Sequence, residues 1–400
     1  MPFMNIPISW NQVTAFRLTR HHLLERAPEH MLAKVAGDIA GVQTQLLSAA
    51  QLGLWARVRN IQPDDVDSAL QERSLVKAAA MRQTQFLLPA EQLAIFVRGS
   101  ARRAEKDIRW TLGKGVPERT IEAVVAATLE ALDQPRTRPE IAERVCRTLA
   151  VPLQTVEGGV GWGSRNRVAA VPVGEINFPV VYLLRLVAAR GVICSGPNRG
   201  GEPTFVRADA WLPAWHDLPV EQAEVLLLRQ YLRAFGPATV ADFALWSGMT
   251  LTEARAIWAR EQADLAEVAV EGWQAAVLRA DLPVLAGLEA GPAPALLPVR
   301  PLPYFDNFLL GHKDREHLAV KADQQKIFRP QGWIAPVVLA AGRAAATWAY
   351  AQAGDTLRVL IRPFQELPAG VQGGIEAEAR QLNRFLGAAS VDVVFEPPSW

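Results

Sequence analysis

Apolar positions along this chain recur at helical spacing, broken by short runs in which hydrophobic and polar residues alternate as in strands. Ser9 followed three positions later by Gln12 predicts a capping box that opens a helix through Arg20. The run from Ser48 to Val58 is helical again, and a further helix begins at Asp64 and reaches Leu70. A strand-like stretch closes at Leu87-Leu88-Pro89, before a helix from Ala90.

The same grammar then repeats. Thr137-Arg138-Pro139-Glu140 joins a capping box to a proline in the first helical turn, where its missing N–H costs nothing. Beyond a glycine-rich stretch at Gly158 to Gly163, a helix from about Pro179 to Arg190 is stopped by Gly191. V-I-C-S-G, P-N-R-G-G and P-T-F-V-R then read as strand, turn and strand, with Arg199 and Arg207 on the hairpin. A third stretch follows the same order. Glu221 to Phe235 carries Val225, Leu228 and Leu232 on one face, and a short helix from Thr239 to Trp246 meets the turn Ser247-Gly248. Thr250 and Glu253 cap the next helix, which continues through Trp258. Two short helices around a glycine turn predict a helix-turn-helix, and the strands Leu265 to Val270 and Trp273 to Leu278 predict its wing.

After the proline-rich G-P-A-P-A-L-L-P-V-R-P-L-P, strands are expected at Val337 to Leu339, Ala344 to Tyr350 and Leu357 to Ile361. A helix from Ile375 to Leu386 and a strand from Val391 to Phe395 complete the chain. The expected fold class is α+β: winged-helix-like regions at 1–120, 121–216 and 217–290, then a mixed α/β region at 291–400 carrying a hairpin.

A chain of 400 residues, 50% hydrophobic and 21% charged, is folded and too long for one ordinary core. A net charge of only +1 gives no global basic field, so any nucleic-acid contact has to come from local clusters. One such cluster is Arg98 to Arg119, with seven basic against three acidic side chains; an exposed charged helix face is the plainer explanation. Cys146 and Cys194 have no metal-ligand spacing and are expected to be buried free thiols. The N-terminus lacks signal-peptide character, and no apolar run reaches membrane-spanning length, so a cytoplasmic protein is expected, nucleoid-associated when on DNA.

Signatures for nucleotide and zinc sites are absent, and neither a cofactor nor a metal is expected. Gly161-Trp162-Gly163-Ser164 lacks the spacing of a nucleophile elbow. His21 and His22, adjacent on a helix, point about 100° apart and are expected to be a surface pair. Two features remain. In Gly41-Val42-Gln43-Thr44-Gln45, two glutamines at i and i+2 of an extended segment point to one side and can present both carboxamides to one small ligand such as water, although surface glutamine is common. The stretch from Phe305 to Arg315, F-D-N-F-L-L-G-H-K-D-R, flanks an apolar centre with polar and basic groups; a site-lining loop and a salt-bridged structural turn fit it equally.

Taken in order, G-V-Q-T-Q, L-W-A-R-V, A-M-R-Q-T-Q-F-L-L-P, F-D-N-F-L-L-G-H-K-D-R-E and A-G-R-A-A-A-T-W resemble the AlkZ-like family of winged-helix DNA glycosylases across nearly the whole chain. The resemblance implies three tandem winged helices around a concave DNA channel, and release of alkylated bases with unhooking of certain interstrand crosslinks. It implies Gln43 and Gln45 as the catalytic pair, with Thr44 where the family has an aliphatic residue. Relatives carrying Gln-x-Asp instead lie outside this subgroup. Where relatives commonly read R-G-T-x-H, this chain has Arg82-Gln83-Thr84-Gln85-Phe86, which puts lesion preference in question.

A glutamine amide does not titrate and cannot be a general base, but it can hold a water against the anomeric carbon and offer partial negative charge to an oxocarbenium-like state. Purines alkylated at N7 or N3 are already cationic and leave neutral. The expected function is therefore a monofunctional DNA glycosylase acting as a monomer on double-stranded DNA with alkylated or crosslinked purines. Arg82, Thr84, His312, Lys313, Arg315 and Arg343 are the expected DNA contacts. A non-catalytic winged-helix regulator is the alternative, and a relative that binds damage without excising it is a third possibility.

Overall fold

The computed structural model describes residues 6–102, 105–106, 116–157, 167–173, 176–213, 215–288 and 297–398. The stretch at 158–163, the elbow-like sequence at 161–164 and most of the central part of the basic cluster at 98–119 lie outside them.

Strand β1 (Ile6–Ile8) leads into α1 (Trp10–Arg20). The expected capping box is formed: the Gln12 backbone N–H donates to Ser9 Oγ at 3.2 Å and the Ser9 N–H to Gln12 Oε1 at 2.9 Å. Then follow α2 (Leu32–Asp38), β2 (Val42–Gln43), α3 (Leu47–Trp55) and α4 (Pro63–Gln71), the last with Asp64 and Asp65 in its first turn, where the helix dipole favours them. Strands β3 (Leu75–Ala79) and β4 (Gln85–Pro89) pair antiparallel, and α5 (Leu93–Gly99) follows.

The next helices are α6 (Glu118–Ala131) and α7 (Arg138–Thr148), separated by β5 (Arg136–Thr137). Thr137 and Glu140 cap α7 as its sequence predicts. A three-stranded antiparallel sheet of β6 (Gln154–Glu157), β7 (Arg167–Val173) and β8 (Ile176–Pro179) comes next, where sequence suggested only a glycine-rich connection. Helix α8 (Val180–Ala189) precedes β9 (Ile193–Ser195) and β10 (Thr204–Arg207), which form a sheet in the order β5-β10-β9. Ile121 and Val124 of α6, Ile141 and Val145 of α7, and Leu183 and Val187 of α8 close one core.

Helices α9 (Ala208–Trp211), α10 (Val220–Phe235), α11 (Val240–Ser247) and α12 (Leu251–Glu261) lead to the antiparallel hairpin β11 (Leu265–Val270) and β12 (Trp273–Leu278). The Thr250–Glu253 capping box is present. Strand β1 adds to this hairpin in parallel, Ile8 beside Val270, and Val13 and Phe16 of α1 pack against Val268 and Val277. A short α13 (Leu282–Gly287) ends this stretch.

The C-terminal sheet runs β13-β14-β15-β16-β17, with β13 (Arg300–Leu302), β14 (Val337–Ala340), β15 (Arg343–Ala353), β16 (Thr356–Pro363) and β17 (Ser390–Phe395); α14 (Lys321–Ile327) lies between the first two in sequence. All pairings are antiparallel except β16 with β17, which α15 (Ala369–Leu386) connects. A parallel pair needs such a crossover. Sequence missed β13 because Pro301 lies in it, tolerable only because β13 is an edge strand. It also started α15 late. Gly370, Gly373 and Gly374 depress helix propensity there, yet a side chain at 374 would press into Val299.

Packing divides the chain into two compact units, one of Met1–Ala69, Leu228–Trp246 and Thr250–Trp400, the other of Leu70–Leu227 and Ser247–Met249. The sequence boundaries at 120, 216 and 290 follow the order of helices and hairpins along the chain, whereas this grouping follows contacts. Among the described residues no helix is long and apolar enough to cross a membrane.

Candidate active site

The Gln43–Gln45 segment belongs to the first unit. Val42, Gln43 and Thr44 are buried and Gln45 is exposed, immediately before α3. The strand ends at Gln43 and the chain bends at Gln45, so simple strand alternation does not relate the two carboxamides. Thr44 turns its hydroxyl inward, donating to the Val42 carbonyl at 2.9 Å.

Asn307 fixes this backbone. Its Oδ1 accepts the Gln43 N–H at 3.3 Å, while its Nδ2 donates to the Ile39 carbonyl at 3.1 Å and to that of Gly41. One carboxamide thus ties down three peptide groups around a tight turn, in which Ala40 and Gly41 both have positive φ. The neighbour Asp306 forms a two-pronged ion pair with Arg57 at 2.8 and 2.7 Å, both side chains being 1% exposed. Arg57 also donates to the Gly53 carbonyl at 2.8 Å, and Asp306 accepts the Phe308 N–H at 2.9 Å. Three segments that sequence singled out separately therefore meet: the glutamine turn, the C-terminal end of α3, and the Phe305–Leu309 loop. A small recess lies among them, lined by Gln43, Val42, Arg57, Tyr304, Asp306 and Asn307. The first half of the 305–315 stretch is a buried ion-paired turn, and its second half lines a cleft.

That cleft, of about 900 Å³, lies in the same unit and takes in His312, Lys313, Arg315 and Arg343. His312 is buried, donates from Nε2 to the Phe235 carbonyl at 3.0 Å, and is held neutral well below the usual imidazole range, first by burial and then by the nearby Arg17. Its position supports the loop. Lys313 is exposed, its backbone N–H donating to Asp242 Oδ1 at 2.8 Å. The other oxygen of Asp242 caps α11 through Thr239. The Arg315 guanidinium lies 3.7 Å from the Phe328 ring centre, and burial lowers its pKa. Arg343 is exposed and donates to the carbonyls of Glu316 and His317 at 2.7 and 3.1 Å. The hairpin tip beside it does not stand free, since a side chain at Gly342 would overlap Thr14 of α1.

Arg82 and Thr84 lie in the second unit, on the turn between β3 and β4, so the candidates fall into two groups. Arg82 is half-buried with its guanidinium 5.9 Å from the Phe86 ring centre, and burial pushes its pKa down to about 10. Thr84 closes the turn, its N–H and hydroxyl both reaching the Met81 carbonyl at 3.1 and 3.2 Å. Gln83 has φ 56°, in the region that glycine occupies without strain. That accounts physically for a glycine at this place in the family pattern. Phe86 is 0% exposed and packs as core, offering a ligand no polar group.

The basic cluster is quieter than its sequence suggests. Among its described members, Arg98 pairs with Asp217, and Arg102 with Glu221 and Glu224. On the β9–β10 hairpin, Arg199 pairs with Glu140 and Arg207 with Asp209. The histidine pair is not a surface pair. His21 is fully buried against Phe235 and Phe308, and only His22 reaches partway out, 2.9 Å from Asp38. Cys146 and Cys194 are free and buried, as expected. Asn307 and the Arg57–Asp306 pair were not recognised as positioning groups, although the F-D-N run held the signal.

A family model described as DNA glycosylase AlkZ-like matches residues 36–385. An interstrand DNA cross-link repair glycosylase of Streptomyces sahachiroi is 28% identical over 393 residues, covering 96% of this chain and 98% of that protein. The solved structure of the Streptomyces sahachiroi DNA glycosylase AlkZ matches with a TM-score of 0.79 and 28% identity, over 98% of this chain and 100% of that one.

Proposed function

Because this chain belongs to the AlkZ-like DNA glycosylase family, we propose that it hydrolyses the N-glycosidic bond of cationic N7- or N3-alkylated purines in duplex DNA, with Gln43 and Gln45 positioning the attacking water. The observation that carries this reading is the clamp on the glutamine turn: Asn307 holds its backbone at three points, and the Arg57–Asp306 pair anchors Asn307's neighbour. Catalytic amides need such preorganisation, because a neutral carboxamide has no charge with which to attract a water into place.

In this mechanism Gln43 and Gln45 accept hydrogen bonds from the water and direct its lone pair at the anomeric carbon. Their carbonyl dipoles offset the positive charge that builds up on the sugar. The alkylated purine departs as a neutral base, so no general acid is required, and the proton lost by the attacking water passes to solvent, since the amides cannot take it. An undamaged purine would leave as an anion, and two amides give that departure no help. Selectivity for cationic lesions follows from the chemistry. Bulky crosslinked purines fit the reading too, in keeping with the name of the relative, a cross-link repair glycosylase.

DNA binding through winged-helix regions along a concave channel is part of the same proposal, with the protein acting as a monomer. It is supported by the two successions of three helices and a hairpin, α6–α8 with β9–β10 and α10–α12 with β11–β12. The regional division at 120, 216 and 290 is proposed on that order. Phosphate contacts fall to Lys313, Arg315 and Arg343 at the cleft, beside the loop of His312, and separately to Arg82 and Thr84. A non-catalytic regulator is the poorer account, because the family match spans both the glutamine turn and the loop that clamps it. The test is base release from methylated duplex: free 7-methylguanine with intact guanine left in place supports the proposal. No release of either 7-methylguanine or 3-methyladenine overturns it.

A further inference from the structure

None of the residues around the recess beside Gln43 lines the 900 Å³ cleft. The cleft's chemistry is also different. Trp10, at the start of α1, lies nearly parallel to Trp273 of β12, with ring centres 5.4 Å apart and planes 19° apart. The His317 ring lies 5.6 Å from Trp10 at 4°. All three are half-buried and border the cleft; Trp10 is the ring shared by both contacts, and His317 also meets His312, with ring centres 5.0 Å apart at 83°.

Four cations, Lys313, Arg315, Lys321 and Arg343, share the cleft with three carboxylates, Asp242, Asp314 and Glu316. Asp242 is taken up by the N–H of Lys313 and by Thr239, and Asp314 accepts the Glu316 N–H at 2.9 Å. Lys313 and Lys321 are exposed, and among the described residues neither ammonium has a carboxylate partner, whereas Arg26, Arg57 and Arg229 are each ion-paired to a carboxylate. A planar apolar platform rimmed by free ammonium groups suits a ligand that is flat at one end and anionic at the other.

We propose that this cleft receives an unpaired nucleotide of the DNA, its base continuing the Trp273–Trp10–His317 stack at Trp273 and its phosphate held by Lys313 and Lys321. The inference rests on the reading of this chain as a DNA-acting enzyme and assigns it a second nucleotide site, apart from the glutamine turn. Stacking needs only a π-face, so any base can be accepted. The polar groups of the rim fix the backbone and leave the base edges unread. A duplex opened around a lesion or crosslink presents such a nucleotide, and holding it would keep the opened state populated while the scissile bond is attacked elsewhere.

The test compares full-length protein binding to an intact, undamaged duplex and to the same duplex carrying one bulged nucleotide. Wild type is expected to bind the bulged duplex about tenfold more tightly, the strength of one base–aromatic stack. Trp273→Ala should reduce that preference to less than about twofold, and Trp273→Phe should restore most of it. Lys313→Glu, at an exposed position, should weaken binding to the bulged duplex without unfolding the protein. Equal wild-type affinity for the two duplexes overturns the proposal, as does a preference that survives in folded Trp273→Ala protein. Because no base is excised in this assay, failure of the glycosidic mechanism leaves its result unaffected, and absence of a bulge preference leaves the base-release test of the glutamine pair standing.

Discussion

The side-chain oxygen of Asn307 accepts the backbone N–H of Gln43 at 3.3 Å, and the same carboxamide donates to the carbonyls of Ile39 and Gly41. Residues more than 260 positions apart in sequence thereby set the path of the glutamine turn. Asn307→Ala leaves buried carbonyls unsatisfied, at about 1–3 kcal/mol, and frees the turn to move. Stability should fall by that amount in denaturant titrations. Single-turnover base release should fall by at least about tenfold, since misplacing a reacting group by about 1 Å costs up to a hundredfold. DNA affinity should hold. Unchanged turnover would show that the turn's geometry is irrelevant to the chemistry.

Arg57 and Asp306 are each 1% exposed, so removing either leaves the other charged and desolvated. Asp306→Ala is expected to destabilise the protein by about 3–5 kcal/mol, more than the Asn307 substitution. A melting temperature close to that of wild type would contradict the buried pairing.

These contacts mark where sequence reading stops. The three capping boxes at Ser9, Thr137 and Thr250 lie within four residues of chain each, and all are formed as their spacing predicts. The Asn307–Gln43 and Asp306–Arg57 contacts are long-range, and nothing local in F-D-N names its partner. Charge misled for the same reason: Arg102 looks free within its own stretch, yet Glu221 and Glu224 neutralise it from more than a hundred residues away. Pro301 hid a strand by its residue type, because its edge position is a property of the sheet.

Gln83 occupies a left-handed backbone conformation, with φ 56°, on the β3–β4 turn. Gln83→Gly should relieve that strain and stabilise the protein by about 0.5–1 kcal/mol, whereas the β-branched Gln83→Val should destabilise it. Urea unfolding of the three proteins decides. A less stable glycine variant would mean that the Gln83 side chain contributes more than its backbone costs.

His21 and His312 are buried and held neutral well below the usual imidazole range, each chiefly by burial. In the unfolded chain both protonate near pH 6.5. Acid therefore adds protons to the unfolded state while the native histidines stay neutral. The stability they contribute is complete above about pH 6.5 and falls as pH drops below it, by up to about 1.4 kcal/mol per unit for each histidine. Denaturant midpoints measured between pH 7.5 and 5 should show this decline, and His21→Leu should make it shallower. A decline equally steep in that variant would exclude His21 as a source.

Lys313 is exposed at the cleft, and among the described residues its ammonium has no carboxylate partner, as a phosphate contact should be. Lys313→Ala should weaken binding to any duplex and reduce the slope of log affinity against log salt by about one. An unaltered slope would remove Lys313 from the DNA surface.

The central claim is that two neutral amides, Gln43 and Gln45, hold the water that breaks the glycosidic bond of a cationic lesion. It is tested most directly by single-turnover release of 7-methylguanine from one alkylated duplex, with wild type and the Gln43→Ala, Gln45→Ala double variant compared at matched DNA occupancy. The wild type should release the base, and the double variant should do so at least about a hundredfold more slowly with affinity retained. Equal rates from two folded, DNA-bound proteins would contradict the account.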